Sequence, residues 1–232
     1  MTNNLRVTAV NRARRWKEKS LERHLDIIDT LFACIKLRDE PTAVHSVIMA
    51  HYSFELAQIH AREEALLYYA GSLTHDVGKI AMNDTILKSG RKLSTEERQQ
   101  LWEHVSCGTT LLKELDLPRT VIEIAQFHHE RFDGSGYVSG LKGYGIPLTG
   151  RITAVSDTYS ALVSNRPYQN ARQALEALEI MKRDSHLFDP NILESFIEIV
   201  EREQQSVRSE KSKKMPWNKL MGVREVTVDG QL

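Results

Sequence analysis

The feature that most constrains this chain is the spacing of its apolar side chains. From Pro41 to about residue 204 they recur at intervals of three and four, the period of a helix with one buried face. Pro41 can open a helix carrying Val44, Ile48, Tyr52 and Leu56. Leu66, Tyr69, Ala70, Leu73, Val77 and Ile80 mark a second, with Gly78 near its end. Ser94 and Glu97 in "STEE" form a capping box ahead of Leu101, Val105, Leu112 and Leu115. Pro118 opens a helix on which Val121, Ile124, Ala125 and His128 share a face, and Pro147 opens one carrying Ile152, Val155 and Leu162. A last helix fits 190–204. One stretch breaks the period: residues 133–147 contain five glycines and a proline, which predicts a long ordered loop. "VREVTV" at 223–228 is the one segment that reads as a short strand. The expected fold is all-α, a helical bundle with a single glycine-rich loop.

Charge and cysteine usage narrow the function. The 232 residues carry 31 basic and 31 acidic side chains, so nothing favours broad DNA binding, while a small charged ligand at a local site remains compatible. Cys34 and Cys107 make no disulfide framework, which points to a reducing cytoplasm. No apolar run is long enough for a transmembrane segment, and the basic "NRARRWKEK" is no export signal.

Titratable residues fall at a telling interval. His75 and Asp76 are adjacent in "LTHDVGKIA", and His128 and His129 are adjacent in "HHERFDGSGY". His45 precedes His75 by 30 residues, Asp76 precedes His104 by 28, His104 precedes His128 by 24, and His129 precedes Asp157 by 28. Each gap is about one helix plus a connection, so each group can project inward from a different helix. Imidazoles mixed with carboxylates suit Fe, Mn, Co, Ni or Zn better than a hard all-oxygen ion. Any one of these pieces alone is weak evidence for a metal, and His24, His51, His60 and His186 read as structural or solvated. Lys79 alone would be a solvated lysine at a helix C-terminus.

Taken in order, "HDVGKI", "LSTEERQQLWEHVSCG", "HHERFDGSGY", "GLKGYGIPLTGRITAVSD", "RPY" and "FDP" resemble the HD-GYP family of the HD phosphohydrolase superfamily, over about 38–200. The resemblance implies a cyclic di-GMP phosphodiesterase with two divalent ions, Fe or Mn. It implies metal ligands at His45, His75, Asp76, His104, His128, His129 and Asp157, with Asp76 as the bridge and a catalytic residue. It implies that Lys79 contacts substrate phosphate and takes part in catalysis. Tyr137 and Arg166 would contact the dinucleotide, Gly134 and Gly136 would let backbone approach it, and the Tyr137 ring would meet a guanine face. Under this reading 38–204 is the catalytic domain, 1–37 a helical extension and 205–232 a basic tail.

The sequence departs from the family's pattern in several places. Val138 stands where the signature has proline. Pro41 stands where members with three metals carry a glutamate. Ser160 and Gln169 replace an aspartate and a lysine, and Ser156 and Asn165 are further substitutions. Two rival readings follow: a module that binds cyclic di-GMP or a partner protein without useful turnover, and a hydrolase of another cyclic dinucleotide such as cyclic GMP-AMP. No receiver or sensory domain is expected. The amphipathic "RRWKEKSLERHLDIIDTLFACIKLRD" is read first as packing on the domain, and second as a homodimer contact or a docking surface for a separate regulatory protein.

Overall fold

A computed structural model describes residues 22–164 and 172–209. The helices in chain order are α1 (22–38), α2 (Glu40–His60), α3 (Ala65–Thr74), the four-residue α4 (Asp84–Leu87), α5 (Thr95–Glu114), α6 (Arg119–Phe127), α7 (Leu148–Val163), α8 (Ala174–Arg183) and α9 (Pro190–Ser209). Among the described residues there is no strand. Arg166, Gln169, Asn165 and the strand expected at 223–228 lie outside them.

The helix starts follow from local chemistry. Asp39 caps α2, its Oδ2 accepting from the Thr42 N–H at 3.1 Å, with Pro41 in the first turn. The capping box of α5 forms as expected: Ser94 Oγ accepts from the Glu97 N–H at 3.2 Å and Glu97 Oε2 from the Ser94 N–H at 2.8 Å.

Helix α2 is the axis of the bundle, packing on α3, α7 and α9, while α6 packs on α3, α5 and α7. One apolar cluster gathers Met49, Leu56, Tyr68, Ile124, Ile152, Val155 and Phe196; a second gathers Ile28, Ile35, Ala50, Leu73, Leu112 and Val121. Met49 and Ala50 are neighbours in sequence yet serve different clusters, so α2 is buried on two sides. Ile28 and Ile35 of α1 lie in the second cluster, so this helix packs into the domain instead of standing apart from it. Leu25 and Leu37, by contrast, are exposed.

Three local expectations change. The stripe 66–80 is not one helix: α3 stops at Thr74, a 3₁₀ turn spans Val77–Ala81, and Leu66 and Ile80 face outward. Val44 is also exposed, because α2 turns Ala43 and His45 inward instead. α9 runs on to Ser209, past the boundary drawn at 204, and α8 was not read from the pattern at all.

Phe196 is fully buried and meets Tyr52 and Tyr159 edge-on at 5.3 and 5.0 Å. Phe196→Ala is expected to lower unfolding free energy by about 3–5 kcal/mol in urea titrations. At the other end of the cluster His51 Nε2 lies 2.9 Å from Glu203 Oε1, and Tyr52 Oη donates to Glu203 Oε2 at 2.9 Å. The bond to Glu203 raises the His51 pKa above 6.5; burial pushes Glu203 up, but the His51 and Tyr52 bonds outweigh it and hold Glu203 below 4.5. The His51 contribution is complete below pH 6.5 and lost as pH rises through its folded value. The Glu203 contribution is complete above pH 4.5 and lost as pH falls through its own. The Tm advantage over His51→Gln should therefore peak between these values and shrink on the alkaline side; growth there would mean the pair is not ionic.

Candidate metal centre

Seven side chains from five helices and their ends converge in the interior. His45 comes from α2, His75 and Asp76 from the end of α3, His104 from α5, His128 and His129 from the end of α6, and Asp157 from α7. All are buried except His129, which is partly exposed. The break after Phe127 lets two consecutive histidines face one point: His128 still makes a helical bond to Ile124 O, and the next turn closes through Glu130 N–H to Phe127 O.

The ligand atoms form two groups. Asp76, His104, His128 and His129 offer atoms all within 4.8 Å of one another, and so do His45, His75 and Asp157. Asp76 joins the groups: Oδ1 lies 3.2 Å from His104 Nε2 and 3.9 Å from His128 Nε2, while Oδ2 lies 3.2 Å from His75 Nε2. Asp157 spans them too, with Oδ1 3.1 Å from His45 Nε2 and Oδ2 3.6 Å from His129 Nδ1.

Three imidazoles are aimed by one device. The Nδ1 atoms of His75, His104 and His128 lie 2.7, 2.5 and 2.9 Å from the carbonyls of Ser72, Leu101 and Ala125, each three residues back. A carbonyl only accepts, so each Nδ1 carries a proton and each Nε2 points inward, offering a lone pair when the ring is neutral. These Nε2 atoms and Asp76 Oδ1 are buried without a hydrogen-bond partner. Each such orphan is unfavourable by about 1–3 kcal/mol, which cations bound here would offset. The donor set therefore fits divalent metal.

Electrostatics agree at every shifted group but His75, where burial lowers the imidazole pKa and the neighbouring Asp76 outweighs it and raises it. Burial raises the Asp76 carboxyl, but His75 and Lys79 outweigh it and hold the group well below the carboxylate range. For Asp157, burial is likewise outweighed by the His45 bond and His129. Burial, reinforced by His75, pushes His128 down to about 3, and burial with His128 pushes His129 down as well. Neutral imidazoles and ionised carboxylates are the ligand forms a metal needs.

The remaining site residues fall in less expected places. Lys79 Nζ donates to Asp76 Oδ2 at 2.6 Å, so it is tied to the carboxylate between the two groups. A Cβ on Gly78 would come within 1.9 Å of His104 O, so this glycine serves the close approach of the 3₁₀ turn to α5 and is no helix cap. Gly136 was expected to admit a ligand. Its Cβ position is instead filled by the chain's own Arg131 N and Glu130 Cα, at 2.4 and 2.6 Å. Gly134 takes a left-handed φ of 85° and faces Lys142. The Tyr137 ring stacks on Trp102 at 4.5 Å and lies 4.6 Å from the His129 ring, which places it beside the histidine pair. Val138 is exposed. Ser156 Oγ lies 2.6 Å from Ser53 Oγ, tying α7 to α2 beside Asp157, and Ser160 Oγ donates to Asp157 O at 3.0 Å.

Two residues were not singled out from the sequence. Glu130 is fully buried, and its oxygens accept from the Ser139 and Leu141 N–H groups at 2.7 and 2.9 Å, pinning the glycine loop. Trp102 is the exposed partner of Tyr137. Glu130 follows the histidine pair directly, but the N–H groups that donate to it lie nine and eleven residues on, beyond any local pattern.

The HD domain family matches residues 22–192, and the chain belongs to it. It is 34% identical over 192 residues to a cyclic di-GMP phosphodiesterase of Thermotoga maritima, covering 80% of this chain and 52% of that protein. It is 34% identical over 180 residues to a 3′3′-cGAMP-specific phosphodiesterase of Vibrio cholerae, covering 75% of this chain and 34% of that one. The chain thus spans about half or less of these relatives. Among solved structures, the HD domain of the phosphodiesterase PgpH from L. monocytogenes, in complex with cyclic-di-AMP, superposes with a TM-score of 0.59 at 18% identity. The match covers 80% of this chain and all of that one, and it shows the fold. No helix among the described residues is long and apolar enough to cross a membrane.

Gly78→Ala tests the geometry. The added methyl must push the turn away from His104, so a loss of about 1–3 kcal/mol in stability is expected. Metal content by elemental analysis should fall with it; full retention would show that this approach does not set the ligand spacing.

Proposed function

We propose that this chain is a metal-dependent phosphodiesterase that hydrolyses cyclic di-GMP to pGpG, with GMP the product of any second cleavage. The observation that carries the reading is Asp76, whose two oxygens face two separate groups of buried ligands. Two divalent ions, Fe or Mn, suit groups rich in imidazole with a shared carboxylate. Bound there, they would polarise a phosphate oxygen and ease deprotonation of water. His45, His75 and Asp157 would hold one ion, His104, His128 and His129 the other, and Asp76 both.

The chain's own groups do the rest. The i−3 carbonyls keep the imidazoles oriented, so little reorganisation is needed when charge develops on the phosphate. Lys79 sets a positive charge beside Asp76, where it can meet a phosphate oxygen. Arg166 would grip a second phosphate oxygen with its planar fork. Glu130 anchors the glycine loop, whose Tyr137 ring packs beside His129. The relatives' names support the substrate class, since both act on cyclic dinucleotides. The complete ligand set favours turnover over a binding-only module, because none of the departures at Val138, Ser156 or Ser160 removes a ligand.

The test is an anaerobic time course with Fe²⁺- or Mn²⁺-loaded protein, followed by chromatography, with cyclic di-GMP and 3′3′-cGAMP in parallel. Asp76→Ala is expected to lose bound metal and at least about 10³-fold in rate. A variant as active as the parent would sink the assignment, and exclusive cleavage of 3′3′-cGAMP would reassign the substrate.

A further inference from the structure

Beside the centre lies a cleft of about 450 Å³ lined by both His45 and Lys79, so it is continuous with the metal ligands. Its size falls within the roughly 300–1,000 Å³ of small-ligand sites. Pro41 and Thr42 of α2 contribute to its lining, as does the segment from Ile86 to Arg98 that leads into α5. Four cations line it, Lys79, Arg91, Lys92 and Arg98, against one carboxylate, Asp39.

Most of these charges are already engaged. Asp39 accepts from the N–H and hydroxyl of Thr42 at the start of α2. Arg91 gives two N–H groups to the Glu97 carboxylate, at 2.8 and 2.5 Å. Lys79 is bonded to Asp76. Lys92 and Arg98 remain: both are exposed, and neither has an ion-pair partner among the described residues. Glu96, two residues before Arg98, takes a hydrogen bond from Ser94, and Arg98 reaches it only through space, after the backbone and Ser94 among the groups that lower the Glu96 pKa. Two cations without an ion-pair partner in a cleft shared with the candidate metal ligands are positioned to receive an anion.

A cyclic dinucleotide carries two phosphodiesters, both permanently anionic. When one is at the metal centre, the ring holds the other a fixed way off, where it needs its own counter-charge. We infer that Lys92 and Arg98 form a second phosphate subsite, which takes the phosphodiester that is not being cleaved. This rests on the phosphodiesterase reading and adds to it the element that distinguishes a cyclic dinucleotide from a simple diester. The two residues are positioning groups for the substrate and touch no reacting atom.

The experiment compares steady-state kinetics of the metal-loaded full chain, Lys92→Ala/Arg98→Ala, and the charge-preserving Lys92→Arg/Arg98→Lys. The substrates are cyclic di-GMP and bis(p-nitrophenyl) phosphate, a diester with no second phosphate. Removing two charge-assisted contacts is expected to raise the ratio of KM for cyclic di-GMP to KM for the small diester by about thirtyfold or more. The charge-preserving variant should return the ratio to within a few fold of the parent. A ratio that stays put, because neither KM moves or because both rise together, overturns the subsite while leaving the phosphodiesterase reading intact. A metal-loaded parent that cleaves neither diester overturns both.

Discussion

Everything in this structure is arranged around a carboxylate that has been taken out of water. Asp76 is almost completely buried, and burial by itself would protonate it. It stays ionised because His75, His104 and Lys79 stand within 3.2 Å of its oxygens. Removing one of these contacts would leave a charge inside the bundle with less compensation, which is less favourable than losing a surface pair. That requirement draws α3, the 3₁₀ turn, α5 and α6 to one point.

The backbone meets this requirement at close range. The turn after Asp76 touches α5 at Gly78, where no side chain fits, and His104 is thereby brought to Asp76 Oδ1. Carbonyls one turn back orient three imidazoles, so ligand direction is set by helix geometry rather than by mobile side chains. Around this frame stand the loop anchored by Glu130, the Trp102–Tyr137 stack, and the cleft edged by Lys92 and Arg98.

Much of the centre was legible in the chain because its ligands sit in helices of regular length. A spacing of one helix plus a connection between His45, His75, His104, His128 and Asp157 is the mark of a bundle whose helices each give one or two ligands inward. The capping boxes and prolines were legible for the same reason, being local. The end of α3 was not: the apolar stripe continues through Val77, but the turn to 3₁₀ geometry is imposed by packing against α5. Gly136 was read as facing a ligand because its type suits that role. Which surface a residue faces is decided by contacts from elsewhere in the chain, here Glu130 and Arg131.

By itself, then, the sequence determined a helical chain interrupted by one glycine loop, with His and Asp side chains spaced about one helix apart, because helical period and capping depend on neighbours within a few residues. Tertiary structure alone decided how the seven candidate ligands divide into two groups, that Asp76 and Asp157 each span both, that α1 belongs to the core, and that Lys92 and Arg98 edge the same cleft as the candidate metal ligands. These are relations between residues separated by tens of positions, and only the packing of the helices brings them together.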